Sequence, residues 1–328
     1  MRPILPLVTA GPLVAVAVVS WNTRDLLRRC LESFRPHAES GRAQVWVVDN
    51  ASEDGSAAMV REEFPWVELV ASEENLGFGP AVNHVAGRTR TPWVGVANAD
   101  IAVQPGALEA LLSAGEVDTR AGAIAPRLVL PDGSTQHSVF AFPTIAFNLA
   151  VASGIGRAVV GVGERFLLLG SFDPDRARRV PWAIAAFLLV RREAWDAIGG
   201  FDEHQWMYAE DLDIGWRLHQ AGWATRYEPA AHVLHESSAS TDQAWGEGGK
   251  VERWQRSTYA WMLRRMGPFQ TRSGALIQVA GQALRFAAFA AAARVAPSRF
   301  ARRRDAARWW MRLHRAGLAP RHELESHR

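Results

Sequence analysis

The chain has one cysteine, Cys30, and one lysine, Lys250, in 328 residues. A single thiol excludes an intramolecular disulfide framework and any multi-cysteine zinc site, and it suits a reducing compartment where a lone thiol needs no partner. There is no P-loop. The stretch Asn75-Leu76-Gly77-Phe78-Gly79 is glycine-rich but lacks the third glycine of a dinucleotide fingerprint. No internal repeat is present, and nothing is of low complexity beyond an alanine-rich tail. What is abundant is apolar: 48% of residues are hydrophobic, enough for a packed core and too much for a disordered chain.

Charge is divided unevenly. From Arg272 onward there are twelve arginines against Asp305, Glu323 and Glu325, a net of +9, so the preceding 271 residues carry −6 of the chain total of +3. An acidic globular part with a basic tail points to an anionic partner for the tail, phospholipid in preference to nucleic acid. Leu276 to Val295 is apolar but contains Gln278, Gln282, Arg285 and Arg294. That makes it a poor spanning helix and a better interfacial one, followed by a run of arginines and Trp309-Trp310. An amphipathic helix packed on the rest of the protein is the other reading of the same stripe. At the other end, Arg2 and the apolar stretch Ile4 to Val19 resemble a secretory leader. Pro3, Pro6 and Pro12 interrupt it, and cleavage after Ala17 would cut a strand, so the expected location is the cytoplasm.

The first half alternates short apolar runs with amphipathic segments, the pattern of a largely parallel sheet. Strands are expected at Val14 to Ser20, Val45 to Val48, Val67 to Val70 and Trp93 to Ala97, with helices at Arg24 to Phe34, Ser56 to Glu63 and from Pro80. Polar clusters follow the strand ends: Ser20-Trp21-Asn22, Asp49-Asn50 and Asn98-Ala99-Asp100. In open α/β sheets ligands bind at that edge, where loops and helix N-termini converge. Each cluster taken alone is also what turns and helix caps require. Pro126 to Pro181 is punctuated by Gly154, Gly156, Gly161, Gly163 and Gly170 and reads as a less regular, flexible insertion.

A set of segments in fixed order now carries a resemblance. They are Val18-Val19-Ser20-Trp21-Asn22, Val47-Val48-Asp49-Asn50-Ala51-Ser52-Glu53-Asp54-Gly55-Ser56, Asn75 to Asn83, Asn98-Ala99-Asp100, Gly199-Gly200-Phe201-Asp202-Glu203 and Glu210-Asp211-Leu212-Asp213. Together they resemble glycosyltransferase family 2, inverting enzymes of the GT-A fold, and within it the bacterial rhamnosyltransferase-type members. The resemblance implies an α/β, Rossmann-like nucleotide-diphospho-sugar transferase fold with a mostly parallel central sheet, to which C-terminal amphipathic helices are added. It also implies a catalytic domain over 1–271, with a nucleotide-binding half near 13–125 and an acceptor half near 126–271; the charge count sets off the basic tail over 272–328.

The same resemblance assigns roles. Asp49 reads the nucleobase, which suits a carboxylate able to accept the imide N–H of uracil or thymine; its plain alternative is a cap before Ser52. Ser20, Trp21, Asn22 and Asn50 line that pocket. Asn75, Gly77, Phe78 and Asn83 approach the diphosphate or ribose, where the glycines also satisfy a turn with φ > 0. Asn98 and Asp100 stand where family members often have Asp-x-Asp, so one carboxylate serves a Mg²⁺ or Mn²⁺ ion that stabilises the leaving diphosphate. His235, with Ser240 after it, matches a metal- or phosphate-contacting histidine, while His232 on the opposite side of the strand is core or surface. Asp211 is the general base that deprotonates the acceptor hydroxyl. Glu210 contacts the acceptor or backs up the site, and Asp213 is spaced to pair with Arg217. Acids at a helix start also suit its dipole. Trp182, Trp206, Trp223 and Trp245 are available to stack on sugars or to fill the core.

The expected function is transfer from a pyrimidine nucleotide-sugar, dTDP-rhamnose or a UDP-sugar, to a cell-envelope glycan or polyprenyl-linked acceptor. The enzyme would sit peripherally on the inner face of the plasma membrane without binding nucleic acid. A sugar nucleotidyltransferase, or a non-catalytic glycan- or membrane-binding protein of the same fold, are the alternatives. The first would carry a glycine-rich loop with Arg and Lys after the first strand, where this chain has Ser20-Trp21-Asn22-Thr23.

Overall fold

The computed structural model describes residues 11–168, 171–205, 208–236, 239–320 and 324. The leader-like residues 1–10, Trp206, Met207, Ser237 and Ser238 lie outside these, as do the side chains of Ser240 and Trp245. The elements run β1 (Val14–Ser20), α1 (Arg24–Glu39), β2 (Ala43–Asp49), α2 (Ser56–Glu63), β3 (Glu68–Ala71), α3 (Phe78–Arg88), β4 (Trp93–Asn98), β5 (Ile101–Val103), α4 (Ala107–Val117), β6 (Ala121–Val129) and β7 (Val139–Phe140). Then follow α5 (Ile145–Ser153), α6 (Ile155–Ala158), α7 (Val160–Arg165), β8 (Arg178–Val180), β9 (Trp182–Ala183), β10 (Phe187–Arg191), α8 (Arg192–Ile198), α9 (Glu210–Gln220) and β11 (Ala224–His235). Three long helices close the chain: α10 (Ala239–Arg265), α11 (Gly267–Val295) and α12 (Pro297–His314), with a 3-10 turn at Arg315–Leu318.

Two compact units result. The first takes in the described parts of Met1–Ser138, Pro174–Gln205 and Ile214–Ser240. Its sheet has the order β3-β2-β1-β4-β10-β6-β11-β5, with β8 on β11. The β3-β2-β1-β4 half is parallel throughout, as the continuous apolar runs require of strands covered on both faces. Beyond it β10 is antiparallel to both β4 and β6, and β11 runs parallel to β6. Val14, Val16 and Val18 alternate onto the face covered by Leu27, Leu31 and Phe34 of α1 and by Leu108 and Leu111 of α4. Helix α3 packs on β1 with Ala81, Val82 and Val85 fully buried.

Helix α1 outruns its expected end at Phe34 and stops at Glu39. Gly41 there takes a positive φ of 69° and the Arg42 N–H returns to the His37 carbonyl at 3.0 Å, a glycine-closed helix end. Trp182 to Val190 is apolar throughout but forms two strands, β9 and β10.

The second unit takes in the described parts of Val139–Asp173, Trp206–Asp213 and Thr241–Arg328. The glycine-punctuated insertion is more regular than its composition suggests, since it carries α5, α6 and α7. Its glycines separate helices: Gly154 ends α5 at φ 73°. Trp261 and Tyr259 of α10 are buried, and the Tyr259 hydroxyl meets His314 Nδ1 at 2.9 Å.

Phe34 is fully buried, with its ring 5.8 Å from that of Phe187. Phe34→Ala should therefore cost about 3–5 kcal/mol of stability, read as a lower urea midpoint. A loss below about 1 kcal/mol would mean that this contact is not part of the core.

Candidate active site

Parallel pairing aligns the strand ends. Ser20 lies opposite Asp49, and Val19 opposite Asn98, so the polar residues after β1, β2 and β4 share one edge of the sheet. The loops there are fastened to each other. The Asn22 N–H donates to Ser52 Oγ at 2.9 Å, and the Glu53 N–H donates to Asn22 Oδ1 at 2.8 Å. Asn22 and Ala51 hold this arrangement with φ of 52° and 61°, a conformation uncommon outside glycine. Asp54 accepts from the Arg24 N–H at the start of α1 and from the Ser56 N–H at the start of α2, supplying both helices with the cap their own N-cap residues lack.

Asp49 serves two purposes. Its Oδ2 accepts from the Ser52 N–H at 3.1 Å, which is the turn role. Its Oδ1 is buried without a hydrogen-bond partner, and so is Oδ1 of neighbouring Asn50. Both residues are 3% exposed. Unpaired buried acceptors each cost on the order of 1–3 kcal/mol, so two side by side mark where a donor-bearing group belongs. Asn50 Nδ2 reaches the Gly77 carbonyl at 3.4 Å, joining this edge to the glycine-rich loop, where Gly77 takes φ 84° and its N–H donates to Asn75 Oδ1 at 3.0 Å. Trp21 is half-buried in the loop after β1. Phe78 meets Phe201 edge to face at 5.8 Å. Asn83 is fully engaged: Oδ1 accepts from the Phe201 N–H at 2.8 Å, and Nδ2 donates to the Phe201 carbonyl and to Glu203. Gly200 follows from this, because a Cβ there would stand 2.5 Å from Asn83 Oδ1.

Asp100 and His235 form a second group in the same unit. The Glu236 N–H donates to the Asp100 carbonyl at 2.9 Å as β11 pairs with β5. Asp100 Oδ1 then lies 3.4 Å from His235 Nε2, and each atom is buried without a hydrogen-bond partner. His235 Nδ1 meets Gln136 Oε1 at 2.7 Å and so carries the hydrogen of that contact; in a neutral imidazole Nε2 is then a lone pair facing a carboxylate oxygen. Two lone pairs in that position repel unless a proton or a cation lies between them, and imidazole plus carboxylate is a common ligand pair for divalent metals. Among the described residues no group of three or more His, Cys, Asp or Glu could hold a metal ion. His232, one residue out of phase, is exposed.

Gln136 was not legible as a site residue. It returns to β6 through a turn at Pro131-Asp132-Gly133, with Gly133 at φ 83° and the Gln136 N–H donating to the Leu128 carbonyl at 2.9 Å. The Asp-Gly pair signals the turn, but nothing local says which strand the returning segment meets.

In the second unit, Tyr208 and Ala209 take φ of 57° and 72° immediately before α9, two consecutive non-glycine residues in the left-handed region. Strain of this kind clusters at functional loops. Asp211 Oδ1 accepts the Leu212 N–H at 2.8 Å. Asp213, 1% exposed, accepts from Trp261 Nε1 at 2.9 Å and from Arg265 Nε at 2.7 Å, anchoring the start of α9 to α10. These partners are 48 and 52 residues away, out of reach of the i,i+4 rule that suggested Arg217. Glu210 Oε2 is buried without a hydrogen-bond partner. Burial, and then the adjacent Asp211 carboxylate, push the Glu210 carboxyl up to about 8.

Comparison with known proteins agrees with this architecture. A mannosyltransferase from Pyrobaculum calidifontis, solved with GDP-Man and Mn²⁺, superposes with a TM-score of 0.55 at 18% identity, over 94% of this chain and 85% of that one. GalNAc-T7 with UDP, GalNAc and Mn²⁺ gives 0.53 at 15%, over 78% and 50%. The fold is therefore that of the GT-A nucleotide-sugar transferases. Residues 15–139 match the family model described as glycosyl transferase family 2, and residues 143–319 match glycosyl transferase family group 2. The N-acetylglucosaminyl-diphospho-decaprenol L-rhamnosyltransferase of Mycobacterium tuberculosis strain H37Rv is 34% identical over 265 residues, 76% of this chain and 84% of that protein. The chain belongs to glycosyltransferase family 2, and it is a glycosyltransferase of rhamnosyltransferase-like sequence. The nucleotidyltransferase and non-catalytic readings fall away.

The sign of the Glu210 shift can be measured. A carboxyl raised from 4.5 to about 8 binds its proton more tightly in the folded than in the unfolded state, so stability falls as pH rises from about 4.5 to about 8. Glu210→Gln should remove that decline, seen in urea unfolding between pH 5 and pH 8.5. Parallel profiles for variant and wild type would assign the decline to other groups.

Proposed function

We propose that the protein is an inverting transferase moving a sugar from a pyrimidine nucleotide-sugar, dTDP-rhamnose or a UDP-sugar, to a hydroxyl of a lipid-linked glycan. The observation that carries the donor is the pair of buried, unpaired acceptors on Asp49 and Asn50 at the end of β2. The imide N–H of thymine or uracil supplies the missing donor, with Ser20, Trp21 and Asn22 as the wall and Asn75, Gly77 and Phe78 near ribose and diphosphate. Asn83 contributes by holding the Gly199–Glu203 segment. The acceptor class rests on the mycobacterial relative, whose name specifies rhamnosyl transfer to N-acetylglucosaminyl-diphospho-decaprenol.

In the reaction, the acceptor oxygen attacks the anomeric carbon from the face opposite the diphosphate. Asp211 takes the hydroxyl proton, the glycosidic C–O bond breaks, and nucleoside diphosphate departs with inversion. Glu210 suits a neighbouring role, since a carboxyl held at about 8 is protonated at neutral pH and can donate a hydrogen bond to the acceptor. Asp100, aided by Asn98, and His235 would hold a Mg²⁺ or Mn²⁺ ion, which when bound neutralises charge on the leaving diphosphate. Gln136 keeps the His235 imidazole in the tautomer that a metal requires. Residues 1–271 form the catalytic part on this reading, and the basic tail 272–328 attaches the enzyme peripherally to the cytoplasmic face of the plasma membrane.

Asp211→Asn should lower kcat by about 10²–10⁴-fold while leaving the Kd for the nucleotide-sugar unchanged; wild-type turnover would remove Asp211 as the base. Chelation with EDTA should stop transfer, and Asp100→Ala should raise the Mn²⁺ concentration needed to restore it. Transfer indifferent to EDTA would take the metal out of the reaction. A donor panel including GDP-mannose tests the base, since preference for a purine nucleotide contradicts the assignment of Asp49.

A further inference from the structure

Helix α11 is inside out. Its inner face carries Thr271, Gly274, Ala275, Gln278 and Gly281. Gln278 Nε2 donates to Asn148 Oδ1 on α5 at 2.9 Å, and Arg285 Nη2 donates at 2.9 Å to the carbonyls of Val151 and Ala152 in the last turn of α5. The Gly154 N–H of the helix cap also reaches the Val151 carbonyl, at 3.3 Å, and a cation is favoured at that end of the dipole. Close approach is possible because Gly274 and Gly281 face α5. A Cβ on them would stand 2.8 Å from Asn148 Nδ2 and 2.8 Å from Ala152 Cβ.

Arg272 and Arg294 are exposed near the two ends of the helix, and between them the outer face is apolar. Phe269 is 78% exposed, Leu276 55%, Leu284 74% and Val295 89%. Ala280, Ala283, Ala287, Ala288 and Ala291 fill the same helical stripe. A helix facing water has the opposite arrangement. Two of the polar residues that make this stretch look unsuited to lipid, Gln278 and Arg285, are thus turned inward and hydrogen-bonded. Leu149 of α5, and Ile155 and Val159 after it, are also exposed.

The charge beside this surface indicates what covers it. Helix α12 folds back along α11, since Phe300 stacks on Phe289 at 6.3 Å and Gly317 lies against Ala275. It exposes Arg299, Arg302, Arg303, Arg308 and Arg312, with Asp305 its single acid. We propose that the outer face of α11 is immersed in the hydrocarbon edge of an anionic bilayer, with α11 lying in the membrane plane and the α12 arginines on lipid phosphates. Among the described residues α11 is the one helix long and apolar enough to cross a bilayer. Crossing would draw the arginines of the antiparallel α12 into hydrocarbon, where charge is costly, so α11 lies flat. The proposal rests on the reading of the enzyme as a peripheral membrane protein. It deepens that reading by naming the helix face that inserts, that of Leu276 and Leu284, and by separating its contribution from that of the basic charge.

Flotation of the full chain with phosphatidylglycerol–phosphatidylcholine vesicles tests it. Wild type should float and keep a salt-resistant bound fraction, and L276E/L284E should lose partitioning by about a hundredfold with an unchanged circular dichroism melt. R299E/R302E/R303E should lose only the salt-sensitive part. If L276E/L284E floats like wild type, insertion is overturned while charge-mediated attachment stands. If wild type does not float at low salt, both fail. A wild-type dimer that L276E/L284E dissociates without altering flotation would assign the face to a second copy and overturn the proposal. A gentler variant gives an independent readout, because buried Cys30 will not compete for a thiol label. An NBD dye on Leu284→Cys should shift blue on vesicles, and one on Arg312→Cys should not. A dye at 284 that stays aqueous in vesicle-bound protein refutes insertion.

Discussion

Parallel β-strands all deliver their last residues to the same edge, and in this protein that edge is where polar side chains are buried without partners. Val16 on β1 pairs with Val45 on β2 and with Gly95 on β4, a register that continues up to Ser20, Asp49 and Asn98. The apolar strands fix the positions of these residues by burial, and the residues themselves contribute little to the core. The loops are then locked by Asn22, Ser52 and Asp54, so that the open acceptors on Asp49 and Asn50 are held in place before any ligand arrives. Preorganisation of this kind removes part of the ordering cost of binding.

Three acids at the start of α9 have three different environments. Asp213 is sealed by Trp261 and Arg265 and works as an anchor. Asp211 accepts its own helix's N–H, and Glu210 is driven toward the neutral form by burial. A helix dipole alone would favour all three equally as anions within the first turn, at about 0.3–1 kcal/mol each. The differences come from packing, and they set the anchor Asp213 apart from Glu210 and Asp211.

In the second unit the polar groups of α11 are satisfied by α5, and that satisfaction decides the character of the outer surface. Gln278 and Arg285 would be liabilities on a face meeting lipid. Against Asn148 and the last carbonyls of α5 they are hydrogen-bonded, and what remains outside between Arg272 and Arg294 is mostly leucine and alanine.

Much of the fold was readable from pattern. The unbroken valine runs announced doubly covered parallel strands, and helix α2 begins and ends where its composition places it, because both signals are local. The ordered motifs from Ser20 to Asp213 were enough to assign the family. The insertion after Pro126 read as irregular because its glycines separate short helices that gain stability only by packing. The unpaired state of Asp49 Oδ1, the Gln136–His235 contact, the Asp213–Arg265 anchor and the direction in which α11 turns its apolar stripe were all decided by tertiary structure. Each depends on residues brought together from distant parts of the chain. Sequence spacing records which side chains share a strand or a helix face, and only packing determines what that face meets.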